Sequence, residues 1–121
     1  MNGTLEVWKT LDSITEKVHQ EMLFKTPGNG LENMATQLEM TKKELSNLIN
    51  TKHTSYNAWI NEIKINYSIS LIENSFLYDY SIETLAKECG FKSKTTFYRA
   101  FKAITGKTPS VYLKNYLKEK R

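Results

Sequence analysis

Apolar residues recur along this chain three and four positions apart, with polar residues between them, which is the period of amphipathic helices. Nothing in the pattern suggests strands in number, so it predicts an all-α fold. The first segment runs from Leu5 to Phe24, with Val7, Leu11, Ile14, Val18 and Met22 in line and Thr4 as its cap. Lys25 to Gly30 contains Pro27 and two glycines and reads as a loop. The sharpest pattern lies between Ser81 and Pro109. Ser81 caps a helix whose Ile82, Leu85, Ala86 and Cys89 share one face, while Glu83 and Glu88 decorate the outside. Gly90 suits a left-handed exit, because a residue just past a helix is often driven into backbone geometry that only glycine adopts without steric cost. Phe91 then plugs the space between two helices. Ser93 caps the second, where Phe97, Ala100, Phe101 and Ile104 form an apolar stripe. Gly106 closes it, and Thr108 and Pro109 open another.

The other face of that second helix carries Lys94, Thr95, Tyr98, Arg99 and Lys102. A B-form major groove is about 12 Å wide and admits one helix, whose first turns can place such side chains against base edges. Arg99 is built for bidentate contact with guanine, and Thr95, Thr96 and Tyr98 offer hydroxyls, a thymine-methyl contact or a phosphate hydrogen bond. A face rich in Lys and Thr is also the ordinary composition of a solvated surface, so this segment alone leaves both readings open.

The ordered set Ile82, Ala86, Gly90-Phe91, Phe97, Arg99, Phe101-Lys102, Thr105-Gly106, Pro109-Ser110 and Tyr112 resembles the second helix-turn-helix of AraC-type (AraC/XylS) transcription regulators. The resemblance spans about thirty positions. It implies two helix-turn-helix units joined by a helix, a transcription regulator of the bacterial cytoplasm and nucleoid, double-stranded DNA as ligand and RNA polymerase as protein partner. Such units usually end longer regulators that carry a sensing or receiver domain, though some stand alone; no sensor is legible in this chain, and both arrangements stay open.

An earlier, faded copy of the unit is present. Leu31 to Leu38 repeats the first helix, Glu39-Met40 stands in place of Gly90-Phe91, and Thr41 caps a helix from Lys42 to Lys52, with Leu45, Leu48 and Ile49 inward. The two recognition helices are thus expected over Lys42 to Thr51 and Lys94 to Ile104. The first contact set is Lys42, Lys43, Ser46, Asn47 and Asn50; the second is Ser93, Lys94, Thr95, Thr96, Tyr98, Arg99, Lys102 and Lys107. Asn47, where the later copy has Arg99, favours adenine over guanine. Glu39 in place of glycine means either a turn that is not left-handed or a strain of about 1 kcal/mol. The loop from Lys52 to Tyr56 is one residue shorter than its counterpart from Ile104 to Pro109.

Asn57 to Asn74 holds no Pro or Gly and reads as one connecting helix of about 27 Å. Trp59, Ile60, Ile63 and Tyr67 mark one stripe and Ile65, Ile69, Ile72 and Phe76 another, as suits a helix that serves two subdomains, although a plain core helix has similar traits. The expected organisation is a first lobe over 4–56, the connector over 57–74 and a second lobe over 75–121, about seven helices in all. Because major-groove faces on one side of a duplex repeat about every 34 Å, a connector of this length lets a monomer or weak dimer present two readers.

The chain of 121 residues carries a net charge of +4, which hides an asymmetry. Residues 92–121 hold nine Lys or Arg against Glu119 alone, whereas residues 1–91 hold eight against twelve acidic groups. Cations gather at the second reader, with Lys118 to Arg121 read as an unstructured basic tail. No apolar run approaches the roughly 20 residues needed to cross a bilayer, so no membrane contact is expected. The single cysteine, Cys89, can form no internal disulfide and sits on an inner face. His19 and His53 lack Cys or acidic neighbours at ligand spacing, so neither metal nor other cofactor is expected. No nucleophile-base set or phosphate-cradling glycine loop indicates an enzyme. The alternative to a stand-alone DNA-binding regulator is a helical protein-interaction module that keeps the fold but has lost groove reading, or the output domain of a longer sensor-regulator with weakened DNA reading.

Overall fold

The computed structural model describes residues 9–25 and 30–120; Thr4, Leu5, Val7, the segment 26–29 of the expected loop and Arg121 lie outside the described residues. Among these there are eight α-helices and no strand: α1 (Leu11–Gln20), α2 (Leu31–Gln37), α3 (Lys42–Ile49), α4 (Tyr56–Glu73), α5 (Phe76–Asp79), α6 (Ile82–Glu88), α7 (Lys94–Thr105) and α8 (Pro109–Glu119). The chain divides into two compact units, one ending at Ile63 and the other starting at Lys64.

In the first unit α1 starts later than its apolar period suggests. Thr10 accepts from the Ser13 amide and Ser13 returns the bond to the Thr10 amide, a reciprocal cap that fixes the start of α1. The helix also ends early. Met22 takes a left-handed backbone with φ 54° and is exposed, so it leaves the stripe, and a short 3-10 turn over Leu23–Lys25 buries Phe24 instead. Leu11, Ile14 and Val18 are buried alongside Met34 and Ala35 of α2, Leu45 and Ile49 of α3, and Trp59, Ile60 and Ile63 of α4. The Trp59 indole is satisfied within the same unit: Nε1 donates to Thr15 Oγ1 at 2.9 Å.

In the second unit Ile65 and Ile72 of α4 pack with Leu85, Ala86, Cys89, Phe91, Phe97 and Phe101. The aromatic rings form a chain, Phe91 to Phe97 at 5.4 Å, Phe97 to Phe101 at 5.7 Å and Phe101 to Tyr112 at 5.8 Å between centroids. Full burial of Phe97 and Phe101 stabilises the unit by roughly 1.5–3 kcal/mol per side chain. Tyr67, expected on the first stripe of the connector, packs against this second core. Ser68 is buried too, its hydroxyl donating to the Ile65 carbonyl at 2.7 Å. Such back-bonding is how a mid-helix serine hides its polar group.

Three further departures from the sequence pattern have local causes. Ser75 is left-handed, φ 71°, and separates α4 from α5, so Phe76 is not on the connector although it does reach the second core. Ile104 is 40 % exposed at the last turn of α7, where the apolar stripe has drifted off the core. The basic end is helical: α8 runs to Glu119 with Lys120 as its C-cap, so Lys118 to Lys120 are not an irregular tail.

Candidate nucleic-acid interface

Both turns have the same hydrogen-bond geometry. After α2 the Glu39 amide donates to the Thr36 carbonyl and the Met40 amide to the Ala35 carbonyl; after α6 the Gly90 amide donates to Lys87 and the Phe91 amide to Ala86. Each is a left-handed helix stop whose paired bonds satisfy the last carbonyls. Glu39 has φ 58° and Gly90 φ 87°, so the first turn is left-handed despite its glutamate. The copies differ by one residue just beyond. Ala35 and Ala86 are 51 positions apart, as are Met40 and Phe91, but the caps Thr41 and Ser93 are 52 apart, which makes Lys92 an addition to the second turn.

Thr41 and Ser93 then start the second helices with reciprocal caps. Thr41 accepts from the Glu44 amide at 3.0 Å and the Glu44 carboxylate accepts from the Thr41 amide at 2.8 Å. That backbone bond holds the Glu44 carboxyl below its ordinary pKa. Ser93 and Thr96 form the equivalent pair, at 3.2 Å and 3.3 Å. Both hydroxyls, expected to contact DNA, are thus engaged in holding the start of α7.

Lys94, Thr95, Tyr98, Arg99 and Lys102 come together as the lining of one open groove, joined by Ala103 and Thr108. Phe97 and Phe101 fix the back of α7 in the core, so the groove face cannot rotate without exposing them. Tyr98 is half-buried, its ring set edge-on to Phe97, with the Lys94 ammonium 5.8 Å from its centroid. Arg99 and Lys102 are exposed. Ala103 follows Arg99 by four positions and so shares its face; its small apolar side chain gave no chemical signal of its own. Thr108 was legible only as a cap. Lys107 stands apart, exposed in the turn after Gly106, whose φ of 79° ends α7.

In the first unit Lys42, Lys43 and Asn47 are exposed on α3 and Ser46 is half-buried. The helix stops at Ile49, short of the expected Thr51, and Asn50 is its exposed C-cap. His53 gains an acidic neighbour that spacing did not reveal: Nε2 lies 3.2 Å from Glu62 Oε1, nine residues on and brought round by α4. No group of three or more potential metal ligands occurs among the described residues, and no helix among them is long and apolar enough to cross a membrane.

A supporting cation escaped the sequence pattern because it lies in the connector. Lys64 Nζ donates to the Gly90 carbonyl at 3.0 Å and sits 5.1 Å from the centre of the Phe91 ring, and burial lowers its pKa. It holds the carbonyl end of the turn that leads into α7.

A family model described as a helix-turn-helix domain matches residues 34–115. No curated protein matches the chain in sequence. Among solved structures, a DNA-binding transcriptional dual regulator from Escherichia coli K-12 is similar at 21% identity and TM-score 0.73, over 93% of this chain and 96% of that one. The DNA-binding domain of AdpA, a global transcriptional factor in complex with a target DNA, gives 21% identity and TM-score 0.69 over 88% of this chain and 91% of that one. ToxT from Vibrio cholerae O395 gives 26% identity and TM-score 0.69 over 83% of this chain, which spans only 36% of ToxT.

Proposed function

The chain belongs to the AraC-type helix-turn-helix family, and from that premise we propose that it is a sequence-specific DNA-binding transcription regulator with α3 and α7 as its two recognition helices. The observation that carries the reading is the groove face of α7, where two lysines, an arginine and hydroxyl groups converge on a helix whose back is locked by Phe97 and Phe101. A rigid, exposed, cation-bearing helix is what a major groove admits.

The roles divide by chemistry. Arg99 reads guanine through two hydrogen bonds, Thr95 and Ala103 present methyl groups to thymine, and Lys94, Lys102 and Lys107 neutralise phosphates. Ser93 and Thr96 act by fixing the helix start. Lys42 and Lys43 bind phosphate at the first reader, while Ser46, Asn47 and Asn50 face the bases. With the cations concentrated beyond residue 91, α7 supplies most of the affinity and α3 adds selectivity. Lobes at 4–56 and 75–121 with a connector at 57–74 are the working units. RNA polymerase is the protein partner of such a regulator, the bacterial cytoplasm and nucleoid its place, and no catalysis is involved.

Electrophoretic shifts against promoter fragments with excess nonspecific competitor test this. Arg99→Ala is expected to weaken specific binding by about 1–3 kcal/mol and relax one base position, while Lys102→Ala weakens all sequences alike. Equal loss on every sequence in both variants would remove Arg99 from base reading.

A further inference from the structure

Two lysines from unrelated parts of the sequence make the same contact in the two units. Lys64 of α4 donates to the Gly90 carbonyl, and Lys9, the residue before the Thr10 cap of α1, donates through Nζ to the Glu39 carbonyl. Glu39 and Gly90 are the left-handed residues at the equivalent place in the two turns. Each follows the C-cap of the first helix of its helix-turn-helix, where the negative end of the helix dipole draws a cation. The recognition helices start just beyond, at the caps Thr41 and Ser93. The pairing is not a sequence repeat. Lys9 and Lys64 are 55 positions apart and Glu39 and Gly90 are 51 apart, and Lys9 precedes a helix whereas Lys64 lies inside one. Different backbone segments therefore deliver an ammonium to the same carbonyl.

The surroundings of the two ammonium groups differ. Lys64 is half-buried and lies against the Phe91 ring. Lys9 also acts on the far side of its turn: the Glu44 carboxyl, held low chiefly by the Thr41 amide, is drawn further down by Lys9. In both units a lysine ties the turn to a second element of the same unit, the segment before α1 in one and α4 in the other. Lys64 is not among the residues lining the groove on α7, so its influence on that face passes through the turn.

We propose that Lys9 and Lys64 are positioning residues for DNA reading, each setting the pose of the recognition helix that follows the carbonyl it holds, α3 for Lys9 and α7 for Lys64. This rests on the reading of α3 and α7 as recognition helices. A side chain must be held closely to match a base edge, so a turn released from its lysine blurs the readout of the helix it carries. Each contact lies within one unit, so its loss affects one half of the bound site and spares the other.

Quantitative site selection from random duplex DNA with the full chain tests this, on the parent, Lys9→Met, Lys64→Met and the corresponding Arg variants. Arg99→Ala and Asn47→Ala identify which half of the motif belongs to α7 and which to α3. Lys64→Met is expected to lose roughly tenfold in base preference in the α7 half only, and Lys9→Met the same in the α3 half only. Lys9→Arg and Lys64→Arg, which restore a cationic donor, return to within about threefold of the parent. The dependence of affinity on salt stays as in the parent. A lysine that bound phosphate directly would instead weaken every sequence alike and lower the salt slope by about one, which would overturn the proposal. Circular dichroism checks folding, and Lys9→Met, at a partly exposed position, keeps the test decisive if Lys64→Met unfolds. A parent motif kept intact by either folded Met variant overturns the positioning role alone. A parent that selects no motif overturns the regulator reading and the positioning role with it.

Discussion

Glu39 occupies a backbone conformation that glycine holds in the second copy, φ 58° against 87° at Gly90. An L side chain there crowds the following carbonyl, at a cost of about 1 kcal/mol, and glycine relieves that strain while adding some freedom to the unfolded chain. Glu39→Gly is therefore expected to stabilise the fold by about 0.5 kcal/mol and Gly90→Ala to destabilise it by about 1 kcal/mol, both measured by urea unfolding. Two tyrosines give a pH signature. Burial pushes the Tyr56 hydroxyl up to about 12, and burial together with the bond it donates to Glu73 at 2.8 Å does the same for Tyr112. Unfolded tyrosine titrates near pH 10, so above that pH the folded chain holds protons that the unfolded one has lost. This contribution is complete below about pH 10 and disappears as pH rises through about 12. Tyr112→Phe should flatten part of that alkaline decline, read as denaturation midpoint against pH.

At the level of elements, stability rests on caps and on the aromatic chain behind α7. Phe101→Ala should cost about 3–5 kcal/mol, because the ring is fully buried between Phe97 and Tyr112. Thr41→Ala should cost about 1 kcal/mol through loss of the cap on α3. Thermal and urea melts separate the two. The boundaries of the second helix-turn-helix were legible, since Ser81 and Ser93 stand as caps and Gly90 and Gly106 take the left-handed backbone that glycine favours, whereas the exposure of Ile104 was not. The start of α1 was not: its apolar period carries on through Val7, and only the reciprocal bond between Thr10 and Ser13 sets the boundary. Ser75 and Met22 were opaque for a related reason, as neither is a residue type that announces a left-handed backbone. The groove on α7 was readable for its charged members, yet the engagement of Ser93 and Thr96 with each other depends on a geometry that composition does not express.

Across the whole molecule, two units repeat one turn geometry while their surfaces diverge. The second concentrates cations around an arginine-bearing helix, and the first offers Lys42, Lys43, Ser46 and Asn47 on α3 with Asn50 at its C-cap. Under the proposed function these are two different readers on a single chain, one drawn to guanine and the other to adenine, each with lysines for phosphate. Selection of bound sites from random DNA addresses that claim most directly. Expected is a bipartite motif with a guanine in one half that loses its preference in Arg99→Ala, and an adenine in the other half that loses its preference in Asn47→Ala. A motif with one half only, or one unchanged by both substitutions, would contradict it.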